Sequence, residues 1–109
     1  MLSELFGSQT TEMCLLFLIA QKEGYSSEIA RAFSISHTQV HRTLDKLEAA
    51  DIIVGFDRGR SRVYNLNSRW YLSKELNALL SKALRNMPLD WQEKVFSDRK
   101  KPRKKGKRL

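Results

Sequence analysis

The stretch Ser26-Ser27-Glu28-Ile29-Ala30-Arg31-Ala32-Phe33-Ser34-Ile35-Ser36-His37-Thr38-Gln39-Val40-His41-Arg42-Thr43-Leu44-Asp45-Lys46-Leu47 reads as two helices joined by a tight connection. Ser26 is placed to cap Ser27–Phe33, with Glu28 early and Ile29, Ala30 and Phe33 on one side. Ser34-Ile35 makes the connection. Ser36 and Gln39 then form a Ser-x-x-Gln capping box, in which the hydroxyl takes the N3 amide and the carboxamide returns to the cap amide. The second helix is expected from His37 to about Ala50. Val40, Leu44 and Leu47 recur at helical spacing and define its buried face. The opposite face carries Thr38, Arg42 and Lys46, flanked by Gln39 and His41.

Upstream lies a short apolar stub, Leu2-Ser3-Glu4-Leu5-Phe6, stopped by Gly7. Ser8 is placed to cap a helix over Gln9–Lys22, with Met13, Leu16, Phe17, Ile19 and Ala20 largely on one face. Gly24 reads as its stop signal. Downstream the period changes. Ile52-Ile53-Val54-Gly55-Phe56 and Ser61-Arg62-Val63-Tyr64-Asn65-Leu66 are β-rich runs around Asp57-Arg58-Gly59-Arg60, the pattern of a β-hairpin. After a connector, Ser73 is placed to cap a long helix to about Asn86. There Leu72, Leu76, Leu79, Leu80, Ala83, Leu84 and Met87 cover a wide apolar arc. Pro88 ends it, and Asp90 can cap one more turn, Trp91–Phe96. The expected architecture is mainly α with a small β-hairpin, in the order helix, helix, helix, hairpin, helix. It divides as a domain over residues 1–97 and a basic tail over 98–109. The tail is expected to be disordered because it lacks hydrophobic periodicity.

Charge sharpens that division. The 109 residues hold 20 Lys+Arg and 12 Asp+Glu, a formal net charge of +8. Eight of the basic residues lie in the tail: Arg99, Lys100, Lys101, Arg103, Lys104, Lys105, Lys107 and Arg108. Residues 1–98 therefore hold 12 basic and 12 acidic residues and are formally neutral. A tail of this kind favours a polyanionic partner. The longest apolar run, Met13–Ala20, is far short of the roughly 20 residues of a membrane span, and no basic leader precedes it. The single Cys14 cannot form an internal disulfide, which fits a reducing cytoplasm. A cytoplasmic protein is expected, associated with the nucleoid if its source is prokaryotic.

Helix, short helix, tight turn, capped helix and hairpin together resemble the winged helix-turn-helix transcriptional regulators of the arsenic-repressor and multiple-antibiotic-resistance kind. The residues that carry the resemblance are Leu5-Phe6-Gly7-Ser8, Ser27–Phe33, Ser34-Ile35-Ser36, Val40–Glu48 and Arg62–Asn67, within a span from Leu2 to about Leu84. The resemblance implies a recognition helix, a hairpin wing and dimerisation through terminal helices. Leu5, Phe6, Leu76, Leu80 and Ala83 are the expected dimer contacts. The opening Leu-Phe-Gly-Ser is also similar to winged-helix modules found near small nucleotidyltransferases.

The residues allow the corresponding chemistry. Ser36, His37, Thr38, Gln39, His41, Arg42 and Lys46 would face the major groove of double-stranded DNA. There Arg pairs with guanine, Gln with adenine, and the Thr methyl meets the thymine methyl. Arg58, Arg60 and Arg62, around Gly59, would repel one another without an anion and suit a narrow minor groove. The tail cations would add sequence-independent affinity. A two-fold dimer would require a palindromic operator. His37 and His41 lie at i, i+4, yet no Cys or carboxylate is placed to complete a site, so no metal and no cofactor are expected. No nucleophile motif, phosphate loop or acidic cluster suggests an enzyme. The main expectation is therefore a DNA-binding repressor. Two alternatives stand beside it: a protein-interaction module of adaptor or antitoxin type, and an RNA-binding winged helix.

Overall fold

The computed structural model describes residues 2–96. Both the basic tail and the boundary drawn at residue 98 lie outside that range. The elements follow in the order α1 (Ser3–Phe6), α2 (Gln9–Gln21), β1 (Gly24–Tyr25), α3 (Ser26–Phe33), α4 (His37–Ala49), β2 (Ile53–Arg58), β3 (Ser61–Leu66) and α5 (Ser73–Asn86). Residues 89–96 are again helical.

The core is built around α2. Ser8 caps it as expected, its hydroxyl accepting from the Thr11 amide at 3.2 Å. The expectation of a single apolar face is corrected. Cys14, Leu15, Leu16, Phe17 and Leu18 are all 2% exposed or less, whereas Met13, Ile19 and Ala20 are only partly buried. A helix apolar on every side is packed on every side, and α2 is met by α1, α3, α4, α5 and the sheet. Glu12, in the first turn of α2, is 1% exposed. Its carboxylate accepts the Leu2 amide at 2.7 Å and ties the start of the chain to α2.

Gly24 does not stop α2. Lys22 does, in the left-handed region at φ 75, with its amide on the Leu18 carbonyl. Gly24 instead lies in β1, which pairs antiparallel with β3 through Gly24↔Tyr64 and Tyr25↔Val63. The hairpin thus gains a third strand, in the order β1-β3-β2. A Cβ on Gly24 would stand 2.8 Å from the Phe17 ring, so the position needs the space a glycine leaves.

Both helices of the central pair end alike. Ser34 and Asp51 take left-handed φ values of 55 and 65. The Ile35 amide then reaches the Ala30 carbonyl, and the Ile52 amide the Leu47 carbonyl, each at 3.0 Å. These are six-to-one closures that satisfy the last helical carbonyls and turn the chain sharply. Val40 and Leu44 are fully buried and Leu47 nearly so, as their spacing predicts. The helix start moves by one residue at α3 and α5: Tyr25 and Leu72, rather than Ser26 and Ser73, occupy the cap positions. Beyond Pro88, Val95 is buried, Trp91 meets the Phe33 ring edge-on at 5.5 Å, and Gln21 donates to the Val95 carbonyl at 2.5 Å. The last helical residues therefore pack against α2 and α3.

Candidate functional site

Ser36 opens α4 with its hydroxyl accepting the Gln39 amide at 3.2 Å. Only this half of the expected capping box forms. The Gln39 carboxamide turns away and donates to the Thr10 hydroxyl at 3.1 Å, fixing the first turn of α4 to α2. Ser36, His37, Thr38, Gln39, His41, Arg42 and Lys46 are all exposed. Thr38, Arg42 and Lys46 lie opposite Val40, Leu44 and Leu47, with His41 on one flank and Gln39, turned to Thr10, on the other. A shallow depression of about 350 Å³ on this face is lined by His37, Thr38, His41, Arg42 and Asp45. His37 meets the Ser26 hydroxyl at 2.7 Å, and His41 lies 3.4 Å from Asp45. Among the described residues Arg42 and Lys46 form no ion pair, and no group of His, Cys, Asp and Glu is arranged to hold a metal.

The hairpin is tighter than its sequence suggests. β2 extends through Arg58, so Gly59-Arg60 alone makes the turn, with Gly59 at φ 64. A glycine with positive φ at the first of two turn residues matches the twist of the flanking strands. The three arginines do not share one environment. Arg58 makes a forked contact with Glu23, at 2.9 and 3.3 Å. Arg62 crosses to Glu48 on α4 at 2.5 Å and also reaches Asp57 at 3.2 Å. Hydrogen bonding first, to Glu23 for Arg58 and to Glu48 for Arg62, raises the pKa of each guanidinium further. Arg60, at the tip, has no ion-pair partner among the described residues.

Sequence reasoning placed these arginines and missed what they hold. Glu23 and Glu48 lie 35 and 14 residues from their partners, beyond the reach of any local pattern. Gly55 was the visible clue, because a glycine inside a β-branched run marks a close approach. A Cβ there would stand 2.9 Å from the Arg62 side chain and 3.0 Å from the Tyr64 ring. Glycine leaves the lane through which Arg62 reaches Glu48.

The expected dimer contacts fare unevenly. Leu80 is fully buried and belongs to the core of one chain, which corrects its assignment as a dimer residue. Phe6, Leu76 and Ala83 are partly buried against that core. Phe6 and Leu76 also line an apolar cavity of about 380 Å³, with Leu15, Leu47, Ile52 and Trp70. Leu5 is 65% exposed.

Solved structures share this arrangement. A double mutant of ZitR from Lactococcus lactis, in its apo form, superposes with a TM-score of 0.53 at 23% identity, over 71% of this chain and 61% of its own. The adhesin competence repressor from Streptococcus pyogenes gives 0.53 at 19% identity, over 78% and 72%. The fold is a winged helix-turn-helix. In it α3 and α4 are the helix-turn-helix pair and β2–β3 the wing. The chain spans about three fifths of the ZitR structure's length. No protein-family model matches the chain, and no curated protein sequence does. No helix among the described residues is long and apolar enough to cross a membrane.

Proposed function

We propose that this winged helix is a sequence-specific double-stranded DNA-binding regulator that represses by occupying an operator. The observation that carries the reading is the exposed face of α4. It combines a serine cap, exposed side chain types that read bases and two cations, Arg42 and Lys46, with no ion pair among the described residues. An α-helix fits the major groove, and residues near its N-terminus reach base edges. Arg60 at the wing tip would meet the neighbouring backbone or minor groove. The eleven residues Arg99–Leu109 would span roughly 36–40 Å if extended, and would add affinity without sequence preference.

The protein would act as a homodimer on a palindromic site, with half-sites about one helical turn apart or a multiple of it. Leu5, Leu72 at the start of α5 and Leu79 within it are exposed and available to the second copy, and Leu80 is not. Selection of bound sequences from a random duplex library tests both class and symmetry. A palindromic consensus is the expected result. Flat enrichment overturns the reading and favours a protein or RNA partner.

A further inference from the structure

The wing bears three arginines, of which two are already bound to carboxylates of the same chain. Paired residues of an antiparallel ladder share a face, and neighbours along a strand alternate. Arg62 pairs with the position of Asp57 in the ladder and Arg58 with that of Ser61, so the two arginines leave opposite faces of the hairpin. One is held by Glu23, just ahead of β1, and the other by Glu48 on α4. The wing is thereby fastened on both faces to the body.

These fastenings are weak. The side chains are 50% and 28% exposed for Arg58–Glu23, and 41% and 29% for Arg62–Glu48. Water screens such pairs, and their usual contribution is small. The two non-bridging oxygens of a backbone phosphodiester offer a similar forked geometry and the same single charge, guanidinium binds either group, and a duplex sets many such charges close together. Resting on the DNA-binding reading above, we infer that Glu23 and Glu48 are positioning residues that stand in for phosphate in the free protein: Arg58 and Arg62 exchange carboxylate for the backbone phosphates of an incoming duplex. The free wing then presents one cation, Arg60, and the bound wing three. This keeps a neutral body from gathering polyanions indiscriminately, because two of its wing charges become available only where a duplex fits closely enough to displace the acids.

Equilibrium binding of the full chain to a short duplex of arbitrary sequence, across a sodium chloride series, tests the exchange. Glu23→Gln and Glu48→Gln are each expected to tighten binding about two- to fivefold, the worth of an exposed pair. Removing a negative charge near DNA would also tighten binding by itself, so each change is repeated beside Arg58→Ala or Arg62→Ala. The exchange requires the gain to shrink when the partner arginine is absent. An equal gain in both backgrounds, or weaker binding in the Gln variants, overturns it. Independently of any substitution, the arginine side-chain N–H NMR signals of Arg58 and Arg62 should shift on duplex titration; unmoved signals overturn the exchange as well. Failure of the unaltered chain to bind the duplex removes the DNA-binding reading itself, an outcome distinct from either.

Discussion

Arg42 and Lys46 share a face one turn apart, and neither is engaged by a carboxylate among the described residues. Their roles should separate by how each change depends on sequence. Arg42→Ala is expected to cost about 1–3 kcal/mol and to relax preference at one base pair. Affinities for the selected site and its single-base variants measure this. Cys14 answers to burial instead of chemistry. Its enclosure by apolar side chains pushes the thiol pKa from 9.0 up to about 12. The folded protein should therefore resist thiol reagents at neutral pH, with labelling only as fast as unfolding exposes the sulfur. The linkage has a definite sign. The folded state holds the proton more firmly than the unfolded state, so the stability from a neutral thiol is complete below pH 9. It is then lost progressively between pH 9 and about 12, by about 1.4 kcal/mol per pH unit. Denaturant midpoints across that range, compared with Cys14→Ala, isolate the contribution.

At the scale of elements, most of the stability of α4 comes from Val40, Leu44 and Leu47, and its start from one hydroxyl. Ser36→Ala removes the acceptor of the Gln39 amide and should cost about 1 kcal/mol, read as a shift in denaturant midpoint. Gly24→Ala should cost more, about 1–3 kcal/mol, because the new methyl meets the fully buried Phe17 ring. Those two residues also show what a sequence discloses. The Ser36 cap, the period of Val40, Leu44 and Leu47, and the change to β-rich runs after Asp51 are local signals, and they located both helices and the hairpin. The two-residue strand β1 is too short to have a period, and its only cause is pairing with β3, some 40 residues on. The face of α2 was misread for a related reason. Its apolar residues are nearly continuous, and such a run gives no direction when the chain covers every side. The site divided in the same way: the exposed residues of α4 followed from its wheel, whereas the partners of Arg58, Arg62 and Gln39 came from distant segments.

For the whole molecule, the decisive asymmetry is a formally neutral body joined to a tail with eight cations. Removing residues 99–109 should weaken binding to all duplexes alike and flatten the dependence of affinity on salt, since each phosphate contact contributes about −0.9 to that slope. Sequence preference, which the proposed reading assigns to α4, should survive. Titrations of the full and shortened chains at several salt concentrations check both statements.

The small strand β1 sets a mechanical condition on all of this. It connects α2 directly to α3 and is bonded at the same time to β3, while Arg62 joins the other face of the wing to α4. In the free chain, helix pair and wing are consequently braced from two sides, like the jaws of a caliper whose hinge is the main-chain ladder of β1 and whose catch is Arg62. Under the proposed exchange a duplex releases the catch and leaves the hinge. On the proposed DNA-binding reading, such a tool would gauge the distance from a major groove to the flank beside it, and would disfavour a duplex whose local width or curvature the hinge cannot meet.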